Sequence, residues 1–77
     1  MATKTHVILL TSPAFIRARF VRRESQGGGF VVTTNCARAR RYEPIAAAKA
    51  LRTLQPAFED GGFTPAVVPV AAYQAAP

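Results

Sequence analysis

The sequence predicts a small α+β domain: an antiparallel sheet of three to four strands with one helix packed on one face, in the order β-β-β-α-β. Three observations predict it. Two β-favouring stretches, residues 15–23 and the run from Phe30, flank a Glu-Ser-Gln-Gly-Gly-Gly turn, which is a hairpin signal. Ala47, Leu51, Leu54 and Phe58 recur at helical spacing behind Pro44. The length, 77 residues, allows a single domain close to the lower limit for a chain that folds unaided.

Residues 5–11 are mostly β-favouring and end at Ser12-Pro13, so they read as the first strand. In residues 15–23, Ile16, Ala18 and Phe20 fall on one face and Arg17, Arg19 and Arg23 on the other. Residues 24–29 make the turn. The third strand begins at Phe30 and carries a register conflict. If Phe30 and Val32 point inward, strict alternation turns Arg38 and Arg40 inward too; if Ala37 and Ala39 do, Phe30 and Val32 point out. A β-bulge or a sharp bend near Thr34-Asn35-Cys36 resolves it, and asparagine tolerates the backbone required.

Pro44 opens the helix, where its missing N–H costs nothing. Lys49 and Arg52 lie off the apolar stripe, and the alanines at 46–48 and 50 allow close approach to the sheet. Pro56 is expected to end regular helix near Gln55, leaving Phe58 to pack from a following turn. Residues 59–62 form a loop. Residues 65–73 read as a last strand, which Pro65 and Pro69 confine to an edge or to an irregular extended segment. The tail at about 74–77 is expected to fray.

The expected core is thin: residues 7–10, Phe15, Ile16, Phe20, Val21, residues 30–32, Ile45, Leu51, Leu54, Phe58, Phe63 and residues 67–70. One helix covers one face of a sheet. The first strand is apolar on both faces, so part of the second face is expected to meet another copy of the chain or a partner.

Charge is concentrated in one stretch. Between residues 17 and 41 lie seven arginines against a single acid, Glu24, which accounts for the whole net charge of +6. The remainder balances, with Lys4, Lys49 and Arg52 against Glu43, Glu59 and Asp60. Guanidinium groups fork onto phosphates and carboxylates, so the expected binding residues are Arg17, Arg19, Arg22, Arg23, Arg38, Arg40 and Arg41. Tyr42 is the best candidate to stack on a base.

Other chemistry is thinly supplied. Cys36 and His6 are the only thiol and imidazole in the chain, with no orienting third group in evidence. Glu59-Asp60 sits in a glycine loop and suits a turn. No metal-ligand spacing is present, so the expectation is a non-enzymatic protein without cofactor or metal. Gly27-Gly28-Gly29 lacks the lysine and the following helix of a phosphate-binding loop. An apolar run of four near the N-terminus is too short for a signal peptide or a membrane span, and with one cysteine the chain reads as cytosolic.

Two family resemblances follow from these residues. The hairpin followed by Ile45-Ala46-Ala47-Ala48-Lys49-Ala50-Leu51 and Leu54 is similar to the C-terminal half of double-stranded-RNA-binding domains. It departs from them in lacking a first helix and in carrying Glu43-Pro44 where that family has lysines. The whole-chain plan resembles small phage accessory proteins, among them the anti-CRISPR inhibitors of type I systems. That resemblance implies a non-catalytic protein, acting in the host cytoplasm, that blocks a host defence complex by docking on it. Many such inhibitors mimic DNA with acidic surfaces; here the field has the opposite sign, so the arginines would seek an acidic protein patch or bound nucleic acid. The alternative expectation is a non-specific nucleic-acid-binding module, and a homodimer is compatible with either.

Overall fold

The computed structural model describes residues 4–25 and 27–71. Among these residues four strands and one long helix follow in the order β1 (His6–Thr11), β2 (Arg19–Ser25), β3 (Gly29–Thr33), a 3-10 turn (Cys36–Arg38), α1 (Pro44–Asp60) and β4 (Thr64–Pro69). All pairings are antiparallel and the sheet order is β3-β2-β1-β4. The predicted α+β class is the observed one.

The helix side of the sheet carries the main core: Ile8 and Leu10 from β1, Val21 from β2, Tyr42, and Ala47, Leu54 and Phe58 from α1, with Phe30, Val32, Phe63 and Val67 packed around them. Phe30 meets Phe58 edge to face with centroids 4.7 Å apart. The helical stripe is as the spacing predicts, with Leu51 half-buried among its members. Ile45 is not part of the core. It stands two residues before Ala47, nearly opposite on the helix, and is 74% exposed.

Helix α1 runs through Pro56 to Asp60, past the expected stop at Gln55. Proline inside a helix costs about 3 kcal/mol. The extra turn carries Phe58 into full burial, a gain of about 1.5–3 kcal/mol, plus about 0.5–1.5 kcal/mol for the ring contact with Phe30. The two sums are comparable, so core packing can hold the turn. Pro56 is itself exposed. Pro56→Ala is therefore expected to stabilise the domain by about 1–3 kcal/mol, read as a rise in the urea midpoint at unchanged slope.

The second strand departs from expectation. Residues 12–18 are consumed in reversing the chain: Phe15 N–H donates to the Ser12 carbonyl (3.1 Å) and Ala14 N–H to Ser12 Oγ (3.3 Å). Strand β2 starts only at Arg19, opposite Leu10. Ile16, expected inward, is wholly exposed, and Phe15 is 39% exposed. Alternation cannot form a strand where no neighbour offers a ladder.

The register conflict after Phe30 is resolved by a turn and a bulge in different strands. Strand β3 ends at Thr33, and Asn35 caps the 3-10 turn, its Oδ1 accepting from Ala37 N–H at 2.9 Å. Ala39 then points into the core while Arg38 and Arg40 stay exposed. The bulge lies in β2: Val21 pairs with Val32 and Arg23 with Val31, leaving Arg22 as the extra residue. Beyond Phe20, β2 is no longer paired with β1, and residues 40–42 occupy the gap. Arg40 N–H donates to the Val21 carbonyl (2.9 Å), and Tyr42 and His6 exchange two backbone hydrogen bonds (2.8 and 3.0 Å). Here the chain passes from one side of the sheet to the other before α1.

The outer face has a smaller core of Val7, Phe20, Ala39 and Val70, with Leu9, Cys36 and Val68 half-buried beside them. The face expected to need a second chain is thus covered in part by the 3-10 segment and by Val70, whose N–H donates to the Thr5 carbonyl at 2.8 Å. Strand β4 ends at Pro69, short of the expected 73, and lies at a sheet edge as its prolines require. Tyr73 and the tail at 74–77 lie outside the described residues. Among the described residues no helix is long and apolar enough to cross a membrane.

Candidate partner-binding surface

The bulge and the crossing segment decide where each arginine stands. The helix face of β2 carries Arg19, opposite Leu10, and Glu24, opposite Phe30. The outer face carries Arg23, opposite Val31. Arg40 and Tyr42 both reach Glu24, so they lie on the helix side; alternation turns Arg41, between them, to the outer side. Arg38 sits on the 3-10 turn whose neighbours Cys36 and Ala39 pack in the outer core.

The expectation that Arg17, Arg19 and Arg23 share a face is therefore corrected. Arg17 is in the exposed 12–18 loop. Arg19 is half-buried at the margin of the helix face, its guanidinium 4.4 Å from the Phe15 ring centroid, and Phe15 in turn stacks on Phe63 at 5.6 Å. Its Nε is buried without a hydrogen-bond partner. Arg23 joins Arg38 and Arg41 on the outer side, with Arg22 exposed at the bulge beside them.

Glu24 accepts from Arg40 Nη1 at 2.9 Å and from the Tyr42 hydroxyl at 3.3 Å. The Arg40 guanidinium also lies 5.1 Å from the Tyr42 ring centroid. Among the described residues this is the only ion pair, and, being half-exposed, it is worth at most about 1 kcal/mol. The Tyr42 ring is buried in the main core, so it offers no open platform for a base. Its hydroxyl is pushed up to about 12, by burial first and by the Glu24 carboxylate second, with Arg40 pulling the other way.

The resulting charge distribution is two-sided. All four acids of the chain are on the helix side: Glu24 on that face of β2, Glu43 at the N-cap of α1, and Glu59 and Asp60 in its last turn. Four cations share that side, namely Arg19, Arg40, Lys49 and Arg52. Of the other six, Arg22, Arg23, Arg38 and Arg41 stand on the outer side, Arg17 lies in the 12–18 loop and Lys4 precedes β1. Around the outer face, among the described residues, arginine has no acidic neighbour. That side is apolar between its arginines, with Leu9, Cys36 and Val68 half-buried against the outer core and Val31 half-buried on β3.

The chemistry of the remaining groups is local. His6 Nδ1 lies 3.0 Å from Thr5 Oγ1. Cys36 packs in the outer core, whereas His6 alternates with Val7 toward the helix side, so the sheet separates thiol from imidazole. Among the described residues no three His, Cys, Asp or Glu side chains gather as a metal site.

Sequence reasoning missed the exposure of Phe15, Ile16 and Ile45. For Ile45 the helical period held the signal; for Ile16 the signal was Ser12-Pro13, which opens a turn that continues farther than its two residues. Comparison of the chain with protein-family models, curated proteins and solved structures finds no match.

Proposed function

We propose that this chain is a non-enzymatic binding protein that docks its outer face on an acidic surface of a larger protein or ribonucleoprotein complex and blocks access to it. The observation that carries this reading is the separation of charge: Arg22, Arg23, Arg38 and Arg41 stand exposed on the side of the sheet that carries the apolar outer core, while every acid lies across the sheet. An apolar patch with arginine on the same face has the composition of a protein interface, where buried apolar area and arginine carry most of the binding energy. Clustered guanidiniums repel one another in the free protein, and a carboxylate-bearing partner removes that cost. The resemblance of the whole-chain plan to phage-encoded inhibitors supports a host defence complex of the type I CRISPR kind as the target.

The test is affinity capture from a host lysate treated with nuclease, comparing the wild-type chain with Arg23→Glu/Arg41→Glu. Both residues are exposed, so the double variant is expected to keep its far-ultraviolet spectrum and lose the captured protein by at least tenfold. Equal capture by the folded variant overturns the reading. A second reading, phosphate-directed nucleic-acid binding, is favoured by the same unpaired arginines. It predicts that nuclease abolishes capture and that affinity for a 20-base-pair duplex falls steeply with salt.

A further inference from the structure

The two outer strands of the sheet differ in kind. Strand β4 has Pro65 and Pro69 within its six residues, and proline withholds the N–H that a docking strand needs. Strand β3, at the opposite edge, reads Gly-Phe-Val-Val-Thr. It contains neither proline nor charge, and its residues are half-buried along its length. Five paired residues span roughly 16 Å, enough for a short extended peptide to add to the sheet.

The chemistry beside that edge selects the occupant. Arg23 stands opposite Val31 in the β2–β3 ladder, and Arg22 occupies the bulge next to it. A strand added outside β3 lies two strand spacings, roughly 10 Å, from β2, within reach of an extended arginine leaning across Val31. A second copy of this chain is a poor occupant. Its own β3 has no acid, and pairing two β3 edges sets both copies' Arg22 and Arg23 on one continuous sheet, like charge against like.

We propose that the free edge of β3 is a strand-addition site for an extended acidic segment of a protein partner, whose backbone pairs with residues 29–33 and whose carboxylates meet Arg22 and Arg23. This rests on the docking role of the arginines and adds the edge as the element that gives register. Main-chain pairing supplies the ladder, and alternate side chains supply selectivity.

The experiment uses the full chain and a synthetic eight-residue peptide alternating glutamate and valine, capped at both ends. Titration followed by amide spectra is expected to show saturable binding, with slowed hydrogen exchange at β3 amides. Methylating alternate backbone nitrogens of the peptide, in either phase, leaves its carboxylates intact; one phase is expected to weaken binding at least tenfold. Arg23→Ala is expected to weaken it several-fold, and a lysine–valine peptide to bind not at all. If both methylated peptides bind like the parent, or no β3 amide gains protection, strand addition is overturned while arginine docking stands. If neither the peptide nor polyglutamate binds, the arginine reading falls as well. A concentration-dependent dimer whose β3 amides become protected overturns the acidic segment as the occupant.

Discussion

Replacing Phe58 by alanine is expected to cost about 3–5 kcal/mol of folding stability. A chain of 77 residues has about 4–12 kcal/mol in all, so the variant is expected to stand at the edge of unfolding. The ring is fully buried, lies 4.7 Å from Phe30, and joins the end of α1 to the β3 side of the sheet. Its loss leaves a cavity against Ile8, Leu10 and Leu54. It also removes the packing that offsets Pro56, so the last helical turn should loosen with it. Urea unfolding followed by circular dichroism checks this: a lost or strongly lowered midpoint is expected for Phe58→Ala, against a loss under about 1.5 kcal/mol for Phe58→Leu. A Phe58→Ala domain within 1 kcal/mol of wild type contradicts the account of the core.

Tyr42→Ala is expected to be nearly as costly, about 3–5 kcal/mol, for a different reason. Tyr42 fills the main core from within the gap between β1 and β2, and its hydroxyl donates to Glu24. Removing the ring opens the gap at the place where the sheet has fewest direct strand pairs. Exchange of the His6, Arg40 and Tyr42 amides should accelerate ahead of the rest of the sheet. Tyr42→Phe keeps the ring and gives up one hydrogen bond, about 1 kcal/mol.

The pH dependence follows with its sign. The hydroxyl titrates at about 12 in the fold against 10 for a free tyrosine. Below pH 10 both states hold the proton and the contribution is constant. As pH rises from 10 through 12 the unfolded state loses the proton first, and stability declines across that window. Tyr42→Phe lacks this decline. Thermal unfolding across the window, in a Tyr73→Phe background so that one tyrosine reports, checks it; identical slopes for the two chains contradict the buried hydroxyl.

Much of the fold was legible in local pattern. The stripe Ala47, Leu51, Leu54 and Phe58 needs no knowledge of the sheet to be recognised as a helix face. Proline in β4 limited that stretch to an edge or an irregular extended segment before its neighbour was known, and the edge is where it lies. The conflict between Phe30/Val32 and Ala37/Ala39 told that the chain must change faces near Asn35, and it does. What pattern could not supply was the device. The bulge at Arg22, seven residues before Gly29 in the other arm of the hairpin, turns β2 away from β1 and admits residues 40–42. Phe20-Val21-Arg22-Arg23 breaks strict alternation, but only the pairing with β3 and the crossing segment shows that the break is a bulge at Arg22.

The candidate surface divides in the same way. Composition alone determined that the net charge of +6 sits between residues 17 and 41 with Glu24 as the sole local acid. Only the tertiary structure decided which arginines stay free. It folds Glu24 toward Arg40 and Tyr42, holds Arg19 against Phe15, and leaves Arg22, Arg23, Arg38 and Arg41 exposed on the outer side. The physical reason is range. Net charge and helical period are sums over neighbours in the chain, whereas the face a side chain occupies depends on a ladder whose partner lies many residues away, and one inserted residue reverses it.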